Sequence, residues 1–314
     1  MKKFIFNIIV TLLLAAAPLL ALSWWNATAI HRVSWKLNPN THIIAIGPST
    51  TGCALNEKHI KGFKNMSRSD TGIQFLVPLL PRLLDENPII DTVLISHGRF
   101  NFSPFGGGAA PKEFQKVRDK LPLFFYDINQ INWDPIVSNP NFYGVMLNPD
   151  ILQTILNIPH NLVDFRFGHN SIARNDLYLD SAYCGIANYN KVRSNYSEDF
   201  YTKKWILENR GFNDIWSKRA IEICKERGVV PILIFTPLYQ FSRWCDIKGF
   251  CELMKDYPED TLIADYEDFV FPDERYYGDV IHLNPLGADY FTSYLAKNGI
   301  KVQKLHEWLR EKGY

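Results

Sequence analysis

Residues 42–52 have the sequence His-Ile-Ile-Ala-Ile-Gly-Pro-Ser-Thr-Thr-Gly, and this stretch decides the predicted fold. Its first half is a short apolar run rich in β-branched residues, and Gly47 and Pro48 then interrupt it. A run of this kind, bounded by Gly and Pro, is typical of a strand that is buried on both faces and leads into a loop. Strands buried on both faces belong to parallel sheets covered by helices.

Strand and helix patterns alternate on both sides of a long irregular region. Before it, residues 63–66 and 91–96 predict short strands, and residues 71–84 predict a helix that ends before Pro88. After it, residues 229–236 and 261–266 predict two more strands. This alternation predicts an α/β fold with a central parallel sheet.

Two further helices are predicted from their terminal residues. Asp214 is the candidate N-cap of a helix that stops at Gly228. The closing helix has Asn284 as N-cap, Pro285 as first helical residue and Gly299 as its stop.

Residues 101–210 form the irregular region, which is rich in aromatic residues, Asn and Pro. Because a structureless loop of that length is implausible within a compact domain, we expect an insertion or lid with short elements of its own. The predicted organisation is one α/β domain over residues 41–314 that contains this insertion.

The N-terminus predicts an apolar helix. Lys2 and Lys3 precede a run of apolar residues at 4–22, which fits either a cleaved signal peptide or a transmembrane anchor over residues 1–25. Ala21-Leu22-Ser23 is an acceptable cleavage site, whereas Trp24 and Trp25 suit an interfacial belt and favour the anchor. A polar connector follows over residues 26–40. We therefore expect a membrane-anchored or exported protein whose main domain is extracytoplasmic.

Composition excludes several classes of function. The formal charge is +1, from 34 basic and 33 acidic residues without a long basic block, so nucleic-acid binding is not expected. The glycines after the first strand match neither a P-loop nor a dinucleotide fingerprint, and no His-Glu-x-x-His occurs. Five cysteines show no metal-binding spacing, and no cofactor or metal is predicted. An exported chain would permit a disulfide, for which Cys245 and Cys251 are the closest pair in sequence.

Ser49, Asp279 and His282 are the candidate catalytic residues. Ser49 follows the opening strand, and Asp279-x-x-His282 precedes the closing helix, so all lie where a ligand site forms in an open α/β sheet. A carboxylate at this spacing can orient the imidazole, whose other nitrogen then serves as a base for the serine hydroxyl. The alternative is that Ser49 belongs to a turn or cap and that the other two residues only shape the helix start.

Two blocks of sequence resemble the SGNH (GDSL-like) hydrolases, including membrane-tethered relatives that modify envelope polysaccharides. These are Gly47-Pro48-Ser49 and the stretch from Asp279 through His282-Leu283-Asn284-Pro285 to Gly287-Ala288. The resemblance implies a flavodoxin-like three-layer sandwich, ester-linked substrates and an acyl-enzyme with Ser49 as nucleophile, His282 as base and Asp279 as its orienter.

The resemblance also implies an oxyanion hole, and here the chain departs from the family pattern. Asn101 is the candidate side-chain donor, one residue further on than usual, and Ser69 is the candidate backbone donor in a block that lacks its usual Gly. Pro48 replaces the usual Asp and removes an N–H group. His97 is either a supplementary donor or a structural histidine.

Two functions follow from these observations. One is an extracytoplasmic serine esterase or O-acyltransferase acting on ester groups, foremost acetyl groups, of cell-envelope glycans. The alternative is a catalytically inactive SGNH-like protein that binds polysaccharide or a protein partner at the membrane, as the departures in the oxyanion blocks and the large aromatic insertion suggest.

Overall fold

Six strands form one sheet in the computed structural model, which describes residues 2–15, 17, 35–67, 73–102, 211–239, 247–279 and 281–314. Their order across the sheet is β2-β1-β3-β4-β5-β6. The first five run parallel and β6 pairs antiparallel with β5, so the sheet is mixed and mostly parallel. The strands are β1 Ile43–Ile46, β2 Phe63–Asn65, β3 Thr92–Ser96, β4 Val230–Phe235, β5 Leu262–Asp265 and β6 Gln303–Lys304.

Seven α-helices lie within the described residues from 35 onward. They are α1 Ser49–Ala54, α2 Ile73–Leu76, α3 Leu80–Glu86, α4 Gly211–Glu226, α5 Ile247–Met254, α6 Pro285–Asn298 and α7 Leu305–Glu311. Short 3-10 helices occupy Val77–Leu79, Arg99–Phe102 and Glu274–Tyr276. The predicted α/β class is therefore confirmed.

The predicted strands are confirmed to within one residue at each end, but the sheet is not purely parallel. The antiparallel edge strand β6 has only two residues and presents no pattern that a sequence could reveal. Helices α5 and α7 were likewise not predicted.

Two helix predictions need correction. The single helix predicted over 71–84 consists of α2, a 3-10 turn and α3, because Pro78 and Pro81 cannot donate the backbone hydrogen bonds of a continuous helix. Asp214 is not the N-cap of α4, since residues from Gly211 onward are already helical. Its carboxylate lies 3.0 Å from the Lys218 ammonium one turn later. The closing helix is confirmed, with Asn284 as N-cap and Gly299 at a positive φ of 73° after its end.

The prediction of an N-terminal membrane-spanning helix is not supported. Residues 2–15 and 17 are helical and mostly exposed. Over the described stretches of the chain, no helix has the length and apolarity needed to cross a bilayer.

Other predictions fall outside the described residues. These include most of the connector at 26–40, residues 103–210 of the insertion, Ser69, and Cys245 of the proposed disulfide.

The strands place their side chains alternately on two sides of the sheet, and both sides are buried. One side packs against α1 and α6 through a cluster of buried residues that includes Ala45, Ala54, Leu94, Ile234, Ala264, Phe291 and Leu295. On the other side, α4 contacts β3, β4, α2 and α3. Burial on both sides explains why the strands are continuous apolar runs.

Candidate active site

Ser49 lies at the start of α1, directly beyond the carboxyl end of β1. Pro48, the residue before the helix, has an extended backbone, and its carbonyl accepts the first helical hydrogen bond from Gly52 at 3.0 Å. A Cβ at Gly47 would lie 2.3 Å from the Cβ of Ser96 in β3, so only glycine fits. Gly47 therefore lets the chain leave β1 close against β3 and turn Ser49 into the first helical position.

Polar contacts fix α1 at this position. The Thr51 hydroxyl donates to Ser96 Oγ at 2.7 Å. The buried Asn65 amide, at the end of β2, donates to the carbonyl of Leu55 at 2.8 Å and to those of Thr51 and Gly52 at 3.3 Å. Because these are carbonyls at the end of a short helix, Asn65 caps α1 from the neighbouring strand.

Asp279 and His282 lie in a tight loop that leads into α6. Tyr277 and Leu283 form an antiparallel bridge, and the Gly278 N–H donates to the His282 carbonyl at 2.9 Å. The Asn284 side chain accepts from the Gly287 N–H at 3.0 Å and donates to the Arg275 carbonyl at 2.6 Å. The loop is thus closed by its own backbone and by the side chain that caps the helix.

Gly287 is required for this closure. A Cβ at this position would lie 2.0 Å from the carbonyl oxygen of Tyr276. Since the obstacle is backbone, no side-chain rotation could relieve the clash. Steric hindrance by the backbone thus requires glycine at this position of the second sequence block.

The structure brings Ser49, His282 and Asp279 together in a continuous hydrogen-bonded relay. His282 Nε2 lies 2.8 Å from Ser49 Oγ, and His282 Nδ1 lies 2.6 Å from Asp279 Oδ2. The His282 side chain is buried at 8% exposure, whereas that of Asp279 is 42% exposed. Ser49 and Asp279 are thus both more exposed than the imidazole that lies between them.

Asp279 is held as an ionised carboxylate. Its Oδ1 accepts the backbone N–H groups of Ile281 and His282, each at 2.8 Å. Burial acts to raise the pKa of Asp279, but the hydrogen bond and charge of His282 and these two N–H groups outweigh it, so its pKa lies below the usual value.

The ionised carboxylate determines the tautomer of His282. Because a carboxylate only accepts hydrogen bonds, Nδ1 must be the donor to Asp279. The neutral imidazole then has its lone pair on Nε2, which accepts a hydrogen bond from the Ser49 hydroxyl. This is the arrangement that activates a serine hydroxyl as a nucleophile.

Of the two candidate oxyanion donors, only Asn101 lies within the described residues. Ser69 lies outside the described residues. The Asn101 amide donates to the Ser96 carbonyl at 3.1 Å and lies 3.5 Å from Ser96 Oγ. Asn101 thus belongs to the network that holds Thr51, and its role as an oxyanion donor stays a prediction.

His97 lies in the protein core, where its ring contacts buried side chains. It is fully buried, with Nδ1 3.0 Å from the Ser217 hydroxyl and Nε2 3.3 Å from the Met254 sulfur. The rings of Phe235, Phe250 and Tyr257 surround it at centroid distances of 5.2 to 6.0 Å. Burial, with a smaller contribution from the charge of Lys218, lowers the pKa of His97 to about 3, so this histidine is neutral.

One major feature beside the site could not be recognised in the sequence. Arg99 and Glu267 form a buried ion pair, with side-chain exposures of 8% and 5%. Glu267 also accepts the Arg99 backbone N–H at 2.6 Å. The pair joins the turn after β3, which carries Asn101, to the chain just after β5. Isolated charged residues give no pattern that predicts such burial.

Potential metal ligands in the described part of the chain form no metal-binding cluster. Cys53, Cys224 and Cys251 are buried. Within the described ranges, His, Cys, Asp and Glu side chains form no group of three or more that could hold a metal ion.

Comparison of the chain with protein-family models, curated proteins and solved structures finds no significant match.

Proposed function

We propose that this chain is a serine esterase or O-acyltransferase that works through an acyl-enzyme on Ser49. The observation that carries the proposal is the relay, with 2.8 Å between Ser49 and His282 and 2.6 Å between His282 and Asp279. Both distances lie in the range required of a nucleophile, its base and the orienting group. A turn serine and a helix-capping histidine have no reason to meet in this geometry.

The reaction begins when Ser49 Oγ attacks the ester carbonyl carbon while its proton passes to His282 Nε2. Asp279 stabilises the imidazolium that forms and keeps Nδ1 protonated. Collapse of the tetrahedral intermediate breaks the bond to the alcohol, which takes the proton from Nε2. The acyl group then remains on Ser49.

Deacylation repeats these steps with a second nucleophile. His282 takes a proton from water, which gives a carboxylic acid, or from another hydroxyl, which gives a new ester. Hydrolysis and acyl transfer thus use the same three side chains and differ only in which hydroxyl reaches the acyl-serine.

We also propose that the chain is an SGNH-like protein with a flavodoxin-like three-layer arrangement. Support comes from the strand order β2-β1-β3-β4-β5, since Ser49 follows β1 at the point where the order reverses, and that is the usual ligand position in such sheets. The motif glycines Gly47 and Gly287, each required by a close approach, give further support.

The proposed substrates are ester groups, foremost acetyl groups, on cell-envelope glycans, and the proposed location is extracytoplasmic. Lys2, Lys3 and the apolar run that follows support export or membrane attachment. The substrate class rests on the resemblance to polysaccharide-modifying SGNH proteins.

The test is hydrolysis of 4-nitrophenyl acetate by the full chain. We expect turnover that Ser49→Ala and His282→Gln both abolish. Thr50→Ala changes the neighbouring hydroxyl on the same helix and should retain turnover. Turnover that survives Ser49→Ala would contradict the proposed nucleophile.

A second candidate function is polysaccharide binding without catalysis. The hydrogen bond from the Asn101 amide to the Ser96 carbonyl favours it, because it engages the group expected to stabilise the oxyanion. In this case Ser49→Ala would bind an acetylated glycan as tightly as the parent chain, and neither would turn over an ester.

A further inference from the structure

The segment that carries α1 is hydrogen-bonded both to the loop before α6 and to α6 itself. At the start of the helices, Ser49 meets His282, which lies three residues before Pro285. Near the end of α1, the hydroxyl of Thr292 donates to the Ala54 carbonyl at 3.2 Å and accepts the Asn56 N–H at 2.9 Å. The two helices therefore run side by side in the same direction, away from the site.

The contact of Thr292 with the end of α1 is buried and uses both hydrogen-bonding functions of the hydroxyl. Thr292 and Asn56 are 0% and 3% exposed. The Thr292 hydroxyl donates its proton to a carbonyl that the end of a short helix leaves without an intrahelical partner, and it accepts the N–H of Asn56 just beyond that helix. A methyl group of the same shape could make neither bond.

The contact continues outward through Asp289, one turn earlier on α6. Asp289 Oδ1 accepts from the Asn56 side-chain amide and lies 3.0 Å from His59 Nε2. The His59 Nδ1 in turn lies 3.1 Å from the Ser293 hydroxyl. This outer part is more exposed, with His59 and Asp289 side chains at 33% and 50%.

We propose that Thr292 is a positioning residue that, with Asn56, fixes the distance between the Ser49 hydroxyl and His282. The inference rests on the proposed function, in which these two groups react. Helix α1 has six residues and is about 9 Å long, so it moves as a short rigid rod. If its far end is released from α6, α1 can tilt about its remaining contacts with Asn65 and Ser96, and Ser49 at its near end moves relative to the imidazole.

The decisive variant is Thr292→Val, which keeps the shape of the side chain and removes both hydrogen bonds. Thr292→Ser keeps the hydroxyl and should restore most of the parent behaviour. Thr261→Val is the matched control: Thr261 is also buried, and no hydrogen-bond partner for its hydroxyl is seen where the chain is described.

The kinetic readouts are the labelling rate of Ser49 by a fluorophosphonate and the kcat and KM for 4-nitrophenyl acetate. For Thr292→Val, folded as judged by circular dichroism, we expect labelling and kcat to fall roughly 10- to 100-fold with little change in KM, as for a misplacement of up to 1 Å. A purely structural role would lower the melting temperature but leave the folded fraction fully reactive. Labelling at the parent rate would overturn the inference.

A spectroscopic readout separates this inference from the proposed function. Imidazole ¹⁵N signals of His282 report its hydrogen bond to Ser49, and Ser49→Ala supplies the reference without that bond. If the signals of Thr292→Val move toward those of Ser49→Ala, the inference is supported. Signals identical to the parent would overturn it.

The comparison of His282 signals tests the inference even if the parent chain does not react with esters or fluorophosphonate. Such a lack of reaction would contradict only the proposed function. If Thr292→Val does not fold, Asp289→Ala gives the same readouts at the half-exposed outer part of the contact. We then expect a smaller shift in the same direction, and its absence would count against the inference.

Discussion

Replacing Glu267 with Gln is expected to destabilise the fold strongly, although the substitution changes the volume of the side chain very little. Glu267 and Arg99 are both buried, and the carboxylate accepts hydrogen bonds from the Arg99 guanidinium and from the Arg99 backbone N–H. Gln can still accept the backbone N–H. The substitution therefore removes the charge and leaves that backbone bond in place.

The expected loss in free energy of unfolding follows from the cost of burying a charge that has no counter-charge. Burial raises the pKa of Glu267 although the charge of Arg99 lowers it. Burial acts to lower the pKa of Arg99, but the charge and hydrogen bond of Glu267 outweigh this effect, so the pKa of Arg99 lies above its usual value. Breaking such a buried pair by removing one partner costs about 3–5 kcal/mol, whereas replacing both partners with uncharged groups is often neutral. We expect Glu267→Gln and Arg99→Met each to cost about 3–5 kcal/mol, and the double variant to recover most of that loss.

The assay is urea unfolding followed by circular dichroism, with the four chains compared as a double-mutant cycle. Arg227→Met is the control, because Arg227 pairs with Asp85 at 2.8 Å and the two side chains are 27% and 59% exposed. Loss of such an exposed pair should lower the free energy of unfolding by less than about 1 kcal/mol. If Glu267→Gln costs no more than this control, or the double variant loses the sum of the two singles, the buried pair does not carry the stability assigned to it.

Three further perturbations test other parts of the structure. Gly287→Ala should lower the free energy of unfolding by about 3 kcal/mol or more in urea titrations, because its Cβ would lie 2.0 Å from a backbone oxygen; a loss below 1 kcal/mol would refute that clash. Asp279→Asn should lower kcat for 4-nitrophenyl acetate by as much as roughly 10⁴-fold, since Nδ1 would lose its charged acceptor, and an unchanged kcat would remove Asp279 from the relay. His97 should make unfolding pH-dependent: the unfolded chain protonates it near its ordinary pKa of 6.5 and the folded chain only near 3, so stability falls by up to roughly 5 kcal/mol as the pH drops through that window. His97→Gln should remove this part of the acid sensitivity in urea titrations at pH 7 and pH 4, and an equal loss of stability in parent and variant would show that His97 does not cause it.

Local patterns were enough to predict the main strands and the closing helix. Strands such as β1 and β4 are buried on both sides, so their apolar runs are continuous and visible. Asn284 and Gly299 mark the ends of α6 because capping depends on one or two neighbouring residues. By contrast, β6 exists only because it pairs with β5, and nothing within its two residues reveals the partner.

The three residues of the relay were predictable from the sequence, but their geometry was not. The spacing of Asp279 and His282 indicated their mutual contact. Their approach to Ser49, 233 residues earlier, depends on the strand order and on the packing of α1 against α6.

The supporting contacts could not be predicted at all. Arg99 and Glu267 are 168 residues apart, and charged residues in a sequence are normally read as exposed. Thr292 and Asn56 are 236 residues apart, and a threonine within a helix gives no sign that its hydroxyl binds another chain segment.

The most direct measurement of the central claim is the mass of the intact chain after exposure to a fluorophosphonate, followed by peptide mapping of the adduct. If His282 and Asp279 activate the Ser49 hydroxyl, one adduct forms on Ser49, and its rate collapses in His282→Gln. A folded chain that stays unmodified, or is modified equally fast without His282, would contradict the account.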